Sequence, residues 1–149
     1  MSFSKLLKSS FRRISSHYNP LNKQVINDSK DVIHLTFSDY KNGMLEYELF
    51  TALFLNYDNE VVETLQYSQK NADSITINGR AIYDVLSQKD VSSVYFIHNH
   101  PDGICYPSKE DKVMTQSWKQ VCASINTTLV DHLILTPKYY YSFRITGNL

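Results

Sequence analysis

The chain has 149 residues, 15 Lys and Arg against 15 Asp and Glu, a formal net charge of +0 at pH 7 and 42% hydrophobic residues. That suffices for one domain with a filled core, and the zero balance gives no overall attraction for a polyanion. Four Gly, four Pro and two Cys exclude a disordered, collagen-like or disulfide-stapled protein, and no apolar run reaches membrane-spanning length.

Residues 1–25 hold Lys5, Lys8, Arg12, Arg13 and Lys23 and no acid. Phe3, Leu6, Leu7, Phe11 and Ile14 recur at helical spacing, which allows a short basic amphipathic helix. The composition suits, in this order, a packed or loose arm, a partner or nucleic-acid contact, or an organelle presequence. Five of the 15 basic residues lie here, so the remainder carries ten against 15 acids and is mildly acidic. That weighs against tightly gripped DNA.

Asn19-Pro20 signals a turn. Between Val32 and Phe37, Ile33, Leu35 and Phe37 alternate with other residues, which predicts a half-buried strand with His34 on its outer face. Leu49 to Leu55 is apolar at nearly every position and predicts a strand covered on both faces. Tyr57-Asp58-Asn59 reads as a turn and Val61 to Tyr67 as the returning strand. After Asn78-Gly79, the stripe Ala81, Ile82, Val85 and Leu86 predicts a helix, and Val91 to Ile97 another strand. Met114, Trp118, Val121, Cys122 and Ile125 line one face of a long helix. Leu129 to Leu135 and Tyr139 to Phe143 close the chain as two strands joined at Thr136-Pro137-Lys138. Mixed strands interleaved with helices predict a three-layer α/β fold around a mixed sheet.

The chemistry concentrates in His98-Asn99-His100-Pro101-Asp102-Gly103 and its continuation Pro107-Ser108-Lys109-Glu110-Asp111. Residues i and i+2 of a strand share a face, so His98 and His100 can aim two imidazoles at one point past the strand end. Asp111, at the start of the long helix, can fold back to the same point. Two imidazoles and a carboxylate are a three-ligand set for catalytic Zn2+ with the fourth position left to water. Ser108 and Asp111 also read as a helix N-cap with an acid at the positive helix end, and both readings can hold at once.

This run resembles the JAMM signature of the Jab/MPN metalloenzymes, specifically the RadC-like branch with its His-Asn-His-Pro-x-Gly. Glu48-Leu49-Phe50, Asp131-His132-Leu133-Ile134 and Tyr141-Ser142-Phe143 extend the resemblance over about residues 30 to 147. It implies a deaminase-like JAB/MPN fold over residues 30–149 behind a basic arm of residues 1–29, without room for the N-terminal helix-hairpin-helix domain that RadC proteins usually carry. It also implies Zn2+ on His98, His100 and Asp111, Ser108 as hydrogen-bond donor to the oxyanion, and hydrolysis of an amide or isopeptide bond. The family's proton-carrying glutamate lies on the strand after the central hairpin. Counted without gaps, that position falls at Leu65, and the nearest acid, Glu63, stands two residues earlier on the same strand face. Only a bulge or slip would bring Glu63 to the site.

Three functions follow from these readings. The first is a JAMM-type zinc metallopeptidase with Glu63 as its base, acting on a peptide or protein substrate. The second is a metal-bearing but catalytically impaired binding module, favoured by Leu65. The third is a DNA-processing protein, suggested by RadC's DNA-repair label and disfavoured by the acidic charge. Cys122 falls on the core face of the helix, while Cys105 lies near enough to the ligands for a thiolate to approach a metal. Asp131 and His132 read as a buried hydrogen-bonded pair supporting the site, with a ligand role for His132 the lesser reading. The cysteine usage fits a reducing cytoplasm.

Overall fold

The structure, a computed structural model, describes residues 10–14, 24–41, 46–70 and 75–149. Within them the elements are β1 (Ser10–Ile14), α1 (Ser29–Lys41), β2 (Tyr47–Leu55), β3 (Val61–Lys70), α2 (Gly79–Leu86), β4 (Ser93–Asn99), α3 (Lys109–Ser124), β5 (Thr128–Leu135) and β6 (Tyr140–Ser142). The strands form one sheet in the order β1-β3-β2-β4-β5-β6. Neighbours are antiparallel except β4 and β5, which run parallel and are joined through α3. A parallel pair needs such a crossover, and α3 therefore starts just beyond the end of β4.

Alternation along the central strands builds two cores. Phe50, Ala52, Phe54, Val94 and Phe96 face α2 and α3, packing with Ile82, Leu86 and Cys122. Leu53, Leu55, Tyr95, Ile97 and Leu133 face α1, packing with Val32 and Tyr40. The result is the expected three-layer α/β arrangement. The β2–β3 hairpin closes through Asn59, whose φ of 59° is the left-handed value Asn tolerates best after Gly.

Two local expectations are corrected. Val32 to Phe37 is not a strand but lies inside α1. Asp28 Oδ1 accepts from the amides of Lys30 and Asp31 at 2.8 and 3.1 Å, capping the helix start. Once helical, Val32, Thr36 and Tyr40 stand four apart on the buried face, and Phe37 turns outward at 41% exposure. The Tyr40 hydroxyl then ties α1 to the sheet, 2.8 Å from the Ile97 carbonyl and 2.9 Å from Thr51 Oγ1. Six residues of alternation are too short to exclude a helix. The helical spacing in the basic arm also fails over Ser10–Ile14, which pair with β3 as an edge strand. The backbone of β3 would otherwise have an open edge there. The rest of that stretch up to residue 23, including Lys5, Lys8 and Lys23, lies outside the described residues.

Candidate metal centre

The β2–β4 ladder ends with Phe50 opposite His98. Beyond it the Asn99 side chain continues the pairing: its Oδ1 accepts from the Leu49 amide at 2.8 Å and its Nδ2 donates to the Tyr47 carbonyl at 2.7 Å. Asn99 is fully buried. The middle residue of His-Asn-His thus clamps both neighbours of Glu48. After it, His100 to Gly103 make a tight turn in which the Gly103 amide donates to the His100 carbonyl at 3.0 Å. Pro101 supplies the fixed φ such a turn prefers, and Gly103 sits at φ 78°, where a side chain is strained. The turn swings the Ile104 carbonyl back to within 2.8 Å of His100 Nδ1.

A carbonyl oxygen only accepts, so His100 Nδ1 carries the hydrogen and Nε2 presents a bare lone pair. That Nε2 lies 3.0 Å from His98 Nε2 and 3.2 Å from Asp111 Oδ2, and His98 Nε2 is 3.2 Å from Asp111 Oδ1. Asp111 is held from behind by a capping box, accepting from the Ser108 amide at 2.7 Å while Ser108 Oγ accepts from the Asp111 amide at 3.0 Å. Lone pairs and a carboxylate converging this closely repel unless a cation sits among them. Tetrahedral zinc with bonds of about 2.0–2.1 Å would space its ligand atoms about 3.3 Å apart. The donor set and spacing fit a divalent metal.

The electrostatics agree. Burial alone would raise the Asp111 carboxyl, but the facing His100 and His98 rings and the hydrogen bond from the Ser108 amide hold it well below the usual carboxylate range. The neighbouring Asp111 carboxylate raises His100 against the opposing effect of burial. For His98, wholly buried, desolvation wins and its pKa falls. His98 is therefore suited to remain a neutral ligand.

The cluster opens on a cleft of about 720 Å3 whose walls include Glu48, Phe50, Ile75, Ile77, Ser108 and Met114. Glu48 is the acid that sequence reasoning missed. Two residues before Phe50 on β2, it continues the register to the level of His100. Burial lifts its carboxyl to about 7; the charges of Asp111 and Asp102 add to the rise, and His100 opposes it. The sequence does hold a clue: Glu48 opens the apolar run of β2 and shares a face with Phe50, but nothing local says that β2 lies beside the histidine strand.

Residues 26–148 match the profile of the RadC-like JAB domain. The chain belongs to the RadC-like JAB domain family. Its relatives include a UPF0758 protein of Shewanella baltica, 30% identical over 101 residues, or 68% of this chain and 45% of the relative. UPF0758 proteins of Shewanella putrefaciens and of another Shewanella strain (ANA-3) match to the same extent. The chain thus spans about half the length of these curated relatives.

In this RadC-like domain His98, His100 and Asp111 lie together with Ser108 beside Asp111, and Glu63 does not join them. Glu63 pairs with Phe54, which faces Val94, four residues back along β4 from His98. At about 3.3 Å per residue that is about 13 Å along the strand, one strand further out. The bulge in this hairpin falls between Phe54 and Leu55 and leaves Glu63 at that far level. Leu65 pairs with Ala52 and is core. Asp131 and His132 are both fully buried, but their side chains do not bond each other. The Asp131 carboxylate accepts from Ser29, Ser142 and the amides of His132 and Arg144, on the α1 side. The His132 ring faces the other way and lies 2.7 Å from His98 Nδ1. The Cys105 thiol points to the Ile134 carbonyl at 3.6 Å and is not among the clustered ligands, while Cys122 is core. No described helix is long and apolar enough to cross a membrane.

Proposed function

We propose that this domain is a JAMM-type zinc hydrolase that cleaves an amide or isopeptide bond, with Glu48 rather than Glu63 as its proton carrier. The observation that carries the reading is Glu48 itself: a carboxyl poised near neutrality in the same cleft as three converging ligand atoms. Zinc held by His98, His100 and Asp111 would supply a hydroxide nucleophile near neutral pH and polarise the scissile carbonyl. Glu48 takes the proton of the attacking water and returns it to the leaving amine. Asn99 holds the backbone on either side of Glu48, so the carboxyl approaches from a fixed direction. Ser108 Oγ, accepting from the Asp111 amide, keeps its own hydrogen to donate to the developing oxyanion.

The case for an impaired binding module rested on Leu65, and Glu48 in the cleft supports the hydrolase reading over it. Glu48, Asp102, Glu110 and Asp111 line the cleft with no Lys or Arg among its described residues. Such a lining supports a neutral or cationic substrate, a peptide or protein, over a phosphate backbone. The test is zinc content together with turnover of a quenched fluorogenic peptide library that includes lysine isopeptides. Glu48→Gln is expected to keep stoichiometric zinc and lose about 10²- to 10⁴-fold in turnover. Glu63→Gln is expected to leave turnover unchanged. A Glu48→Gln variant as active as the natural protein would defeat the assignment.

A further inference from the structure

Behind His98 stands a buried histidine that is not among the residues lining the cleft. His132 is fully buried, with its ring stacked on Phe143 at 4.9 Å and 7° and met edge-on by Phe96. Its Nε2 lies 2.7 Å from His98 Nδ1 and its Nδ1 2.6 Å from Thr115 Oγ1. Thr115, also fully buried, lies one helical turn after Asp111 on α3, with Oγ1 2.6 Å from the Asp111 carbonyl.

Counting hydrogens fixes this chain in one direction. The Asp111 carbonyl can only accept, so the single Thr115 hydroxyl hydrogen goes to it. Thr115 Oγ1 must then accept from His132, which places the His132 hydrogen on Nδ1. The bare His132 Nε2 accepts from His98 Nδ1–H. The remaining nitrogen of His98, Nε2, is left as a lone pair directed at His100 and Asp111.

We infer that Thr115 and His132 are positioning residues, forming a relay that locks His98 in its metal-binding tautomer and links that tautomer to the helix carrying Asp111. The inference rests on the metal reading above. A metal-bound histidine commonly donates its second nitrogen to a carboxylate or carbonyl that raises its basicity. Here a neutral imidazole takes that place, and its direction is set by a threonine two bonds further on. Because Thr115 anchors to the backbone of Asp111, the relay also fixes the distance between ligands that come from β4 and α3.

Thr115→Val preserves shape and removes the hydroxyl. His132 is then free to move its hydrogen to Nε2, which forces His98 to accept at Nδ1 and to carry a hydrogen where the metal must bind. Zinc affinity, measured by chelator competition, is expected to fall about 10- to 100-fold, and Thr115→Ser to restore it. Long-range 1H–15N spectra of the zinc-loaded protein should show both His98 and His132 as Nδ1–H tautomers. Co2+ substitution should give a changed visible spectrum for Thr115→Val and the natural one for Thr115→Ser, a contrast that a merely structural role would not produce. Equal affinities for the natural protein and Thr115→Val, or an Nε2–H tautomer at His132, would overturn the relay alone. A natural protein that binds neither Zn2+ nor Co2+ would overturn the metal reading and the relay together.

Discussion

Glu48→Gln should separate activity from stability in opposite directions. The folded protein holds this carboxyl at about 7 against its ordinary value of 4.5, with burial as the largest cause. A raised folded pKa means that the unfolded chain ionises first as pH rises. Stability is therefore lost between about pH 4.5 and 7 and stays lost above that. The full shift corresponds to about 3 kcal/mol at 1.36 kcal/mol per unit. Glu48 is only partly buried and borders an open cleft, so solvent screening reduces this to about 1 kcal/mol. Glutamine keeps the shape and has nothing to ionise. In metal-free protein at pH 8 the variant should therefore unfold about 3 °C above the natural chain, and at pH 5 the gap should shrink to a small fraction of that. Calorimetry at both pH values with chelator present measures it. A Gln variant less stable at pH 8, or a gap independent of pH, would refute the placement of Glu48 in a desolvating site.

Asn99→Ala strips the partners from the Leu49 amide and Tyr47 carbonyl; urea titration should show a loss of about 2 kcal/mol, with turnover falling more than zinc affinity. Gly103→Ala meets open space but puts a side chain at φ 78°, so about 1 kcal/mol of stability should go. As that turn presents the Ile104 carbonyl to His100, zinc affinity measured by chelator competition should fall too. Tyr40→Phe removes the hydroxyl that joins α1 to β2 and β4 and should cost about 1–2 kcal/mol in thermal unfolding without altering metal binding.

What the sequence makes legible here is chemistry that is local. His98 and His100 share a strand face, Ser108 and Asp111 share a first helical turn, and each pair is set by spacing alone. The layer order is legible for the same reason, since β2 and β4 are apolar runs that need cover on both faces and α3 carries an apolar stripe at helical spacing. Val32 to Phe37 misleads because its helix is decided by Asp28, an upstream capping acid, and by Tyr40, whose hydroxyl partners are 11 and 57 residues away. Local pattern gives faces, and distant contacts choose between them.

Glu48 and Glu63 show the same limit at the level of function. Both are acids on strands of one hairpin, and their neighbours in sequence do not say which of the two strands lies beside β4. Sheet order ranks them: β2 lies beside β4 and β3 does not, so only β2 can bring a side chain to the level of His100. Within β2 the register then selects position 48, because Phe50 already stands opposite His98 and the next residue on that face is two earlier. The side chain that enforces this register past the end of the ladder belongs to Asn99, the residue between the two histidines. His-Asn-His is thus more than a pair of ligands with a spacer. Its outer residues aim at the metal position, and its middle residue fixes the neighbouring strand so that an acid far upstream in sequence arrives beside them.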